Sequence, residues 1–350
     1  MKKILHDLGV AELKEYLSAI GEKPYRAEQI FRGLASGRKI SEITDISKDL
    51  RLKLTEEFED EPVRIISSKK SKIDDTEKFL FALSDGNVVE GVLMKYKYGN
   101  TQCVSTQVGC RMGCAFCASG IGGLVRNLTS GEILAEVYAV NRYLGGNTEK
   151  REVTNVVLMG SGEPLDNYDN TIKFVRNLSS EKGLSVSPRN VSLSTCGIVP
   201  NMLKLSNEGL PVNLTVSLHN PFDERRKRLM PIANKYKISE ILSACDEYFA
   251  KTGRRYIFEY SLCKGENDDK ACADELIRLL KGRPCHVNLI RLNAVKEKSL
   301  LPITDKEAYA FKEKLEKAGL SATVRRSMGA DIDGACGQLR RKFLGETSND

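Results

Sequence analysis

The amino-acid sequence predicts an α/β protein, a partial (β/α)6 barrel of parallel strands preceded by a small helical accessory domain. Two observations carry that reading. From Cys103 onward, short β-branched runs alternate with amphipathic stretches, the order that builds βα units and a parallel sheet buried on both faces by its helices. About six such units can be counted, fewer than the eight that close a barrel, so the sheet is expected to stay partly open.

The chain begins differently. Leu13, Leu17 and Ile20 form one helical stripe before Gly21, and Ile30, Phe31 and Leu34 form another before Gly37, which makes residues 1–60 a helical domain. Residues 63–94 then alternate apolar and polar side chains around Ser84-Asp85-Gly86, the signature of a hairpin in a 61–95 linker. The main domain, 96–345, supplies strand candidates at 103–108, 155–159, 191–195, 212–217, 257–262 and 287–290. A helix over 129–144 opens on a Thr129/Glu132 capping box and carries Ile133, Leu134, Val137 and Val140 on one face. A second, over 304–318, opens on Thr304 and Glu307 and stops before Gly319. Loops after the strands of such a fold gather at one end, where chemistry is expected.

At 350 residues and 41% hydrophobic, the chain can bury a sizeable core and is not a solvated disordered polymer. His6 and Asp7 interrupt the apolar run a secretory signal needs, and nowhere do some 18 apolar residues run together, so a cytoplasmic protein is expected. Lys and Arg exceed Asp and Glu by 54 to 47. That mild excess permits a polyanionic partner and is concentrated at Lys69-Lys70-Ser71-Lys72, Arg225-Arg226-Lys227-Arg228, Arg325-Arg326 and Arg340-Arg341-Lys342, although a charge run is by default a solvated face. Ten cysteines in a reducing compartment point to metal or catalysis rather than to a disulfide framework. Cys245 and Cys272 fall within helical apolar patterns and read as core packing.

Cys110, Cys114 and Cys117 are spaced CxxxCxxC, after a strand and before a helix. Thiolates are soft ligands, and a short loop bearing three of them can wrap an iron–sulfur cluster while leaving one iron open to a small chelator. Structural zinc is the competing reading. It needs a fourth ligand, for which Cys103 is the nearest candidate.

With these residues in hand, the chain resembles the radical S-adenosylmethionine ribosomal RNA methyltransferases, most closely the branch acting on carbon 2 of an adenine in 23S rRNA. The likeness rests on CVSTQVGCRMGCAFCASGIGGLVRNLT from Cys103, GSGEPLDN from Gly160, SPRNVSLST from Ser187, SLHNPFDERRKRLMPI from Ser217 and DIDGACGQL from Asp331. It implies a [4Fe-4S] cluster on the three cysteines and two molecules of S-adenosylmethionine per turnover. Gly162, Glu163, Ser194, Ser217, Leu218, His219 and Asn293 match cofactor-contact positions. Cys336 matches the thiol that accepts a methyl group and then forms a covalent RNA adduct, Cys103 the thiol that resolves that adduct through a disulfide, and Glu90 the proton acceptor. Read without the resemblance, Glu90 is an edge-strand charge facing solvent. The likeness further implies 23S rRNA as substrate, transfer RNA as a second one, an external electron donor such as flavodoxin or ferredoxin, and a monomer.

Cys196 and Arg291 depart from the commonest wording of the motifs. Arg291 resembles the sibling enzymes that methylate carbon 8, whereas Gln107-Val108-Gly109-Cys110 and Ile121-Gly122-Gly123-Leu124 resemble the carbon-2 branch. A rival of another class is a non-catalytic iron–sulfur carrier or RNA-binding protein. Carriers usually ligate every iron, and the loop has no fourth cysteine.

Overall fold

The computed structural model describes residues 2–292 and 298–332. Three helices open the chain: α1 (Val10–Ala19), α2 (Arg26–Ala35) and α3 (Lys48–Glu57). Their apolar stripes meet in a cluster of their own that includes Leu13, Leu17, Ile30, Phe31, Leu34, Leu50 and Leu54. Strands follow at β1 (Val63–Lys70), β2 (Glu77–Leu83), β3 (Val88–Tyr96), β4 (Gly99–Cys103), β5 (Gln107–Gly109) and β6 (Leu124–Asn127). The remaining elements are α4 (Ser130–Tyr143), β7 (Val153–Leu158), α5 (Tyr168–Leu178), β8 (Val191–Thr195), α6 (Val199–Ser206), β9 (Asn213–Ser217), α7 (Asp223–Leu229), α8 (Ile238–Thr252), β10 (Tyr256–Leu262), α9 (Lys270–Leu280), β11 (Cys285–Arg291), α10 (Asp305–Lys317) and β12 (Ala322–Val324).

One ten-stranded sheet runs in the order β1-β2-β3-β4-β7-β8-β9-β10-β11-β12. The first four strands pair antiparallel, with β2 and β3 joined at the expected Ser84–Gly86 turn, and every pairing from β4 to β12 is parallel. The antiparallel strands therefore extend the barrel sheet itself. Glu90 consequently does not sit on an edge strand: β3 lies between β2 and β4, and Glu90 is buried.

The expected strand at 103–108 is displaced. Pairing in the main sheet ends at Cys103, and residues 107–109 pair instead with β6 in a separate two-stranded sheet. Between them the chain turns away because Thr106 and Gln107 donate their N–H groups to the Ser161 carbonyl, at 2.8 and 3.1 Å. Six buried residues in a row look like one strand, yet the central backbone groups serve a loop. As a result β6 stands between the cysteine loop and α4, where a helix alone was expected.

Both capping boxes form, Thr129 with Glu132 on α4 and Thr304 with Glu307 on α10. Ile133, Leu134, Val137 and Val140 of α4 join the main core against the strand residues Val191, Leu193, Leu214, Val216, Phe258, Val287 and Leu289. Cys245 is part of that core, and Cys272 is likewise buried. The large apolar core of the sheet lies on this side. The other face carries half-buried polar side chains such as Ser192, Ser194, Ser217 and Asn288 and bounds a chamber.

The helical N-terminus is fastened to the barrel at α4, whose first turn donates to Asp7 Oδ1 from Gly131 N–H (2.6 Å) and Ser130 Oγ (2.9 Å). At the opposite edge, residues 325–332 cross back over the chamber. Arg325 reaches Glu259 of β10, Gly329 N–H donates to Asp74, and Asp331 accepts from Ser71 Oγ at 2.6 Å and Lys72 N–H at 2.8 Å in the β1–β2 turn. This strap draws the two sheet edges together where hydrogen bonding between strands does not. Among the described residues, no helix is long and apolar enough to cross a membrane.

Candidate metal centre

The cysteine loop leaves β5 and reverses at Gly113, whose φ of +66° suits a residue without Cβ. Two backbone bonds hold it in place: Cys110 N–H donates to Gly123 O at 2.9 Å, and Ala115 N–H to Leu229 O at 2.8 Å. Met112, Cys114 and Phe116 pack with Cys196, Leu229 and Met230 into an apolar bowl. Burial pushes the Cys110 thiol up to about 11, with Cys117, Glu163 and Asp166 adding repulsion. Burial raises Cys114 further, again with the other two thiols repelling it. The three sulfurs thus lie within electrostatic reach of one another on a half-buried loop, a donor set that a cationic centre would relieve.

Among the described residues, no group of three His, Cys, Asp or Glu is spaced to grasp a single ion. Cys103, the candidate fourth zinc ligand, lies at the end of β4 in a different apolar patch, with Val92, Met94, Val157, Met159 and Met328. The closed zinc tetrahedron considered from sequence is therefore not assembled from Cys103.

The Gly160–Pro164 loop after β7 fits against the start of the cysteine segment through close approach. A Cβ at Gly162 (φ +112°) would sit 2.7 Å from Thr106 Oγ1 and Gln107 Cβ. Glu163, only 4% exposed, donates its N–H to Gln107 Oε1 at 2.9 Å. Its carboxylate accepts from Leu165 N–H at 3.0 Å and Cys196 N–H at 2.7 Å. Burial still pushes its pKa upward overall, against the hydrogen bonds that the carboxylate accepts from Cys196, Thr195 and Leu165. Gln107 Nε2 also donates to Asp166 at 2.9 Å, and Arg111 of the cysteine loop clamps the same carboxylate. Gln107, Asp166 and Arg111 therefore buckle the two loops together.

Ser194 and Ser217 stand at the C-terminal ends of β8 and β9. Ser194 Oγ donates to Glu259 Oε2 at 3.3 Å. Leu218 is placed differently from a contact made by side chain: it lies in the core, its N–H donates to Glu259 O, and its carbonyl accepts from Arg226. His219 has φ +54° and turns its ring to the cysteine loop, edge-on to Phe116 with centroids 4.5 Å apart. Its Nδ1 accepts from Ser261 N–H at 2.9 Å, so the neutral ring carries its proton on Nε2, and burial lowers its pKa to about 3. Glu90 Oε2 lies 3.1 Å from Lys78 Nζ in a pair that is 0% exposed on the lysine side. Cys336 and Asn293 lie outside the described residues, as does the Arg340-Arg341-Lys342 cluster.

Comparison with known proteins decides the family. The Radical SAM superfamily matches residues 104–280, and the ribosomal RNA large subunit methyltransferase N-terminal domain matches residues 4–59. A probable dual-specificity RNA methyltransferase RlmN from Lachnoclostridium phytofermentans is 52% identical over 97% of this chain and 95% of its own length. The protein of the same name from Lachnospira eligens is 51% identical over 97% and 96%. A solved radical SAM methyltransferase from Sphaerobacter thermophilus superposes with a TM-score of 0.91 at 42% identity, covering 96% of this chain and 98% of that one.

The chain belongs to the RlmN family. RlmN proteins are radical SAM enzymes, which use a [4Fe-4S] cluster and S-adenosylmethionine, and the site fits both. Cys110, Cys114 and Cys117 would hold the cluster, since they are soft ligands on one wrapped loop in an apolar bowl. The Gly162–Glu163 turn, and Ser194 and Ser217 at the ends of β8 and β9, offer polar groups that would suit such a cofactor. Lys78 and Glu259 lie outside the quoted motifs, and Gln107 and Arg226 lie within them without their contacts being legible there. Lys78 follows Glu77 and directly precedes the apolar run Phe79-Leu80-Phe81, and Arg226 was hidden in a charge run.

Proposed function

We propose that this chain methylates carbon 2 of an adenosine in 23S ribosomal RNA, with transfer RNA as a second substrate. The likeness over nearly the whole chain to relatives named as dual-specificity RNA methyltransferases carries the reading. When bound, the cluster and S-adenosylmethionine supply hydrogen-atom abstraction, which polar methyl transfer lacks.

The chain's own residues have distinct roles in this reading. Cys336 accepts a methyl group on sulfur, Cys103 resolves the resulting RNA adduct by forming a disulfide with it, and Glu90 accepts the ring proton. The position of Cys103 supports a pairing of the two thiols, because it packs with Met328 of the strap, and the Asp331–Ser71 bond holds the strap close to where the segment bearing Cys336 begins. Lys78 fixes the orientation of the Glu90 carboxylate. His219, neutral and held by Ser261, presents a fixed N–H rather than a charge. The target base must leave its stack to enter the chamber. An external one-electron donor and a cytoplasmic, monomeric enzyme complete the proposal.

The test is an anaerobic reaction of reconstituted protein, reductant and S-adenosylmethionine with protein-free 23S rRNA, followed by mass spectrometry of the nucleosides. The expected products are 2-methyladenosine and 5′-deoxyadenosine. Appearance of 8-methyladenosine instead, or absence of any methylated adenosine, overturns the assignment.

A further inference from the structure

Arg226 lies on α7 within the most basic run of the described chain, yet behaves unlike its neighbours. Arg225 pairs with Asp269 at 2.8 Å, Lys227 with Glu224, and Arg228 with Glu266 at 4.0 Å, all toward the surface. Arg226 is 0% exposed. Its Nε donates to Leu218 O at 3.1 Å, and its Nη2 to Cys196 O at 2.7 Å and Ser217 O at 3.0 Å. Its Nη1 is buried and has no hydrogen-bond partner among the described residues. The three acceptors are neutral carbonyls at the ends of β8 and β9.

A guanidinium taken out of water without a counter-ion is expensive, and its usual partner is an anion. Among the described residues none supplies one in contact. What lies beside Arg226 is the cysteine bowl. Cys196, whose carbonyl accepts from Nη2, packs with Cys114 in that bowl, and Leu229, three residues further along α7, holds the loop through the Ala115 N–H. We propose that Arg226 is the built-in counter-charge of the iron–sulfur cluster, a positioning residue that stabilises the three-thiolate assembly and eases its one-electron reduction.

The sign follows from charge counting. An oxidised cubane core with three thiolates is already a net anion, and the electron delivered to it deepens that charge by one unit. A fixed cation nearby favours the reduced form more than the oxidised one, which raises the reduction potential. This inference rests on the family's cluster and not on which RNA carbon is methylated, so the two can fail separately.

The experiment uses the full chain, purified anaerobically with its cluster, and follows a mediated dithionite titration by electron paramagnetic resonance together with iron content. Arg226→Gln retains donors for the carbonyls and removes the charge. At the potential where the wild-type cluster is half reduced, its ratio of reduced to oxidised cluster should fall on the order of tenfold, equivalent to about 59 mV for one electron. Arg226→Lys, which keeps the charge with fewer donors, should stay within about threefold of wild type. If Arg226→Gln loads full iron and titrates like wild type, or if Arg226→Lys shifts as far as Arg226→Gln, the counter-charge role is wrong. Should Arg226→Gln fail to load iron while Arg226→Lys loads it fully, the charge requirement stands. Failure of both to load iron would mark Arg226 as a purely structural tie and overturn the proposal.

Discussion

The two faces of the parallel strands do opposite work with the same backbone. On β8, Val191 and Leu193 enter the main core while Ser192 and Ser194 face the chamber. On β10, Tyr256, Phe258 and Tyr260 are core while Glu259 and Ser261 line the other side, and β11 repeats the pattern with Val287 and Leu289 against His286 and Asn288. A parallel sheet packed by helices on both sides would read as continuous apolar runs. Strict alternation says instead that one face is left for ligands, and that a slip of one residue in register would exchange core for site.

If the division is real, truncation on the core face should cost stability and leave the site's chemistry alone. Phe258 is fully buried and makes an edge-to-face contact with Tyr256 at 5.5 Å. Phe258→Ala should lose about 3–5 kcal/mol in urea unfolding. Iron bound per folded molecule should stay at the wild-type value. Loss of iron in the folded fraction would mean that the two faces are coupled.

The chamber face should answer differently, because Lys78 and Glu90 form a buried ion pair there. Lys78→Met leaves the Glu90 carboxylate buried without its nearest cation and should cost about 3 kcal/mol, at the low end of such losses because Glu90 is slightly exposed. Adding Glu90→Gln should recover part of that loss, since no carboxylate is then left buried without Lys78. Equal or additive losses in the double variant would make the pair a stability device like the core.

Glu259 sharpens the comparison through pH. Burial, offset by Arg325 and Ser194, holds its carboxyl above the ordinary range. An acid that binds its proton more tightly in the folded chain contributes most below its unfolded pKa and loses that contribution as pH rises through the folded value. Glu259→Gln has no proton to lose, so its stability relative to wild type should improve between about pH 4 and pH 8. A flat difference across that range would show that the chamber face carries no such cost.

How much of this was visible in the sequence follows the same division. The core face was legible because apolar alternation and capping boxes act locally: Thr129 with Glu132, and Thr304 with Glu307, form their caps in the structure. The cysteine loop was legible because soft ligands at close spacing have few other uses. Arg226 was not, since nothing local separates it from Arg225 and Lys227, and only the fold brings three strand-end carbonyls to it. The Lys78–Glu90 pair needed knowledge that β3 is internal to the sheet. Gln107 was missed because residues 103–108 look like one strand, whereas the tertiary demand of the Gly160–Pro164 loop breaks it.

The smallest expected effect is the most discriminating within the chamber itself. Ser194 lies near the C-terminal end of β8, hydrogen bonded to Glu259, while Ser192 points to the same side two residues earlier. Ser194→Ala removes one exchangeable hydrogen bond and should change stability by less than about 1 kcal/mol. If the hydroxyl also meets S-adenosylmethionine, the loss of one such bond should weaken binding about 5–10-fold by calorimetry on the cluster-loaded protein. Ser192→Ala should bind as wild type, because cofactor chemistry in this fold gathers where the strands end. Equal weakening by both would mean that the whole polar face, rather than its rim, holds the ligand.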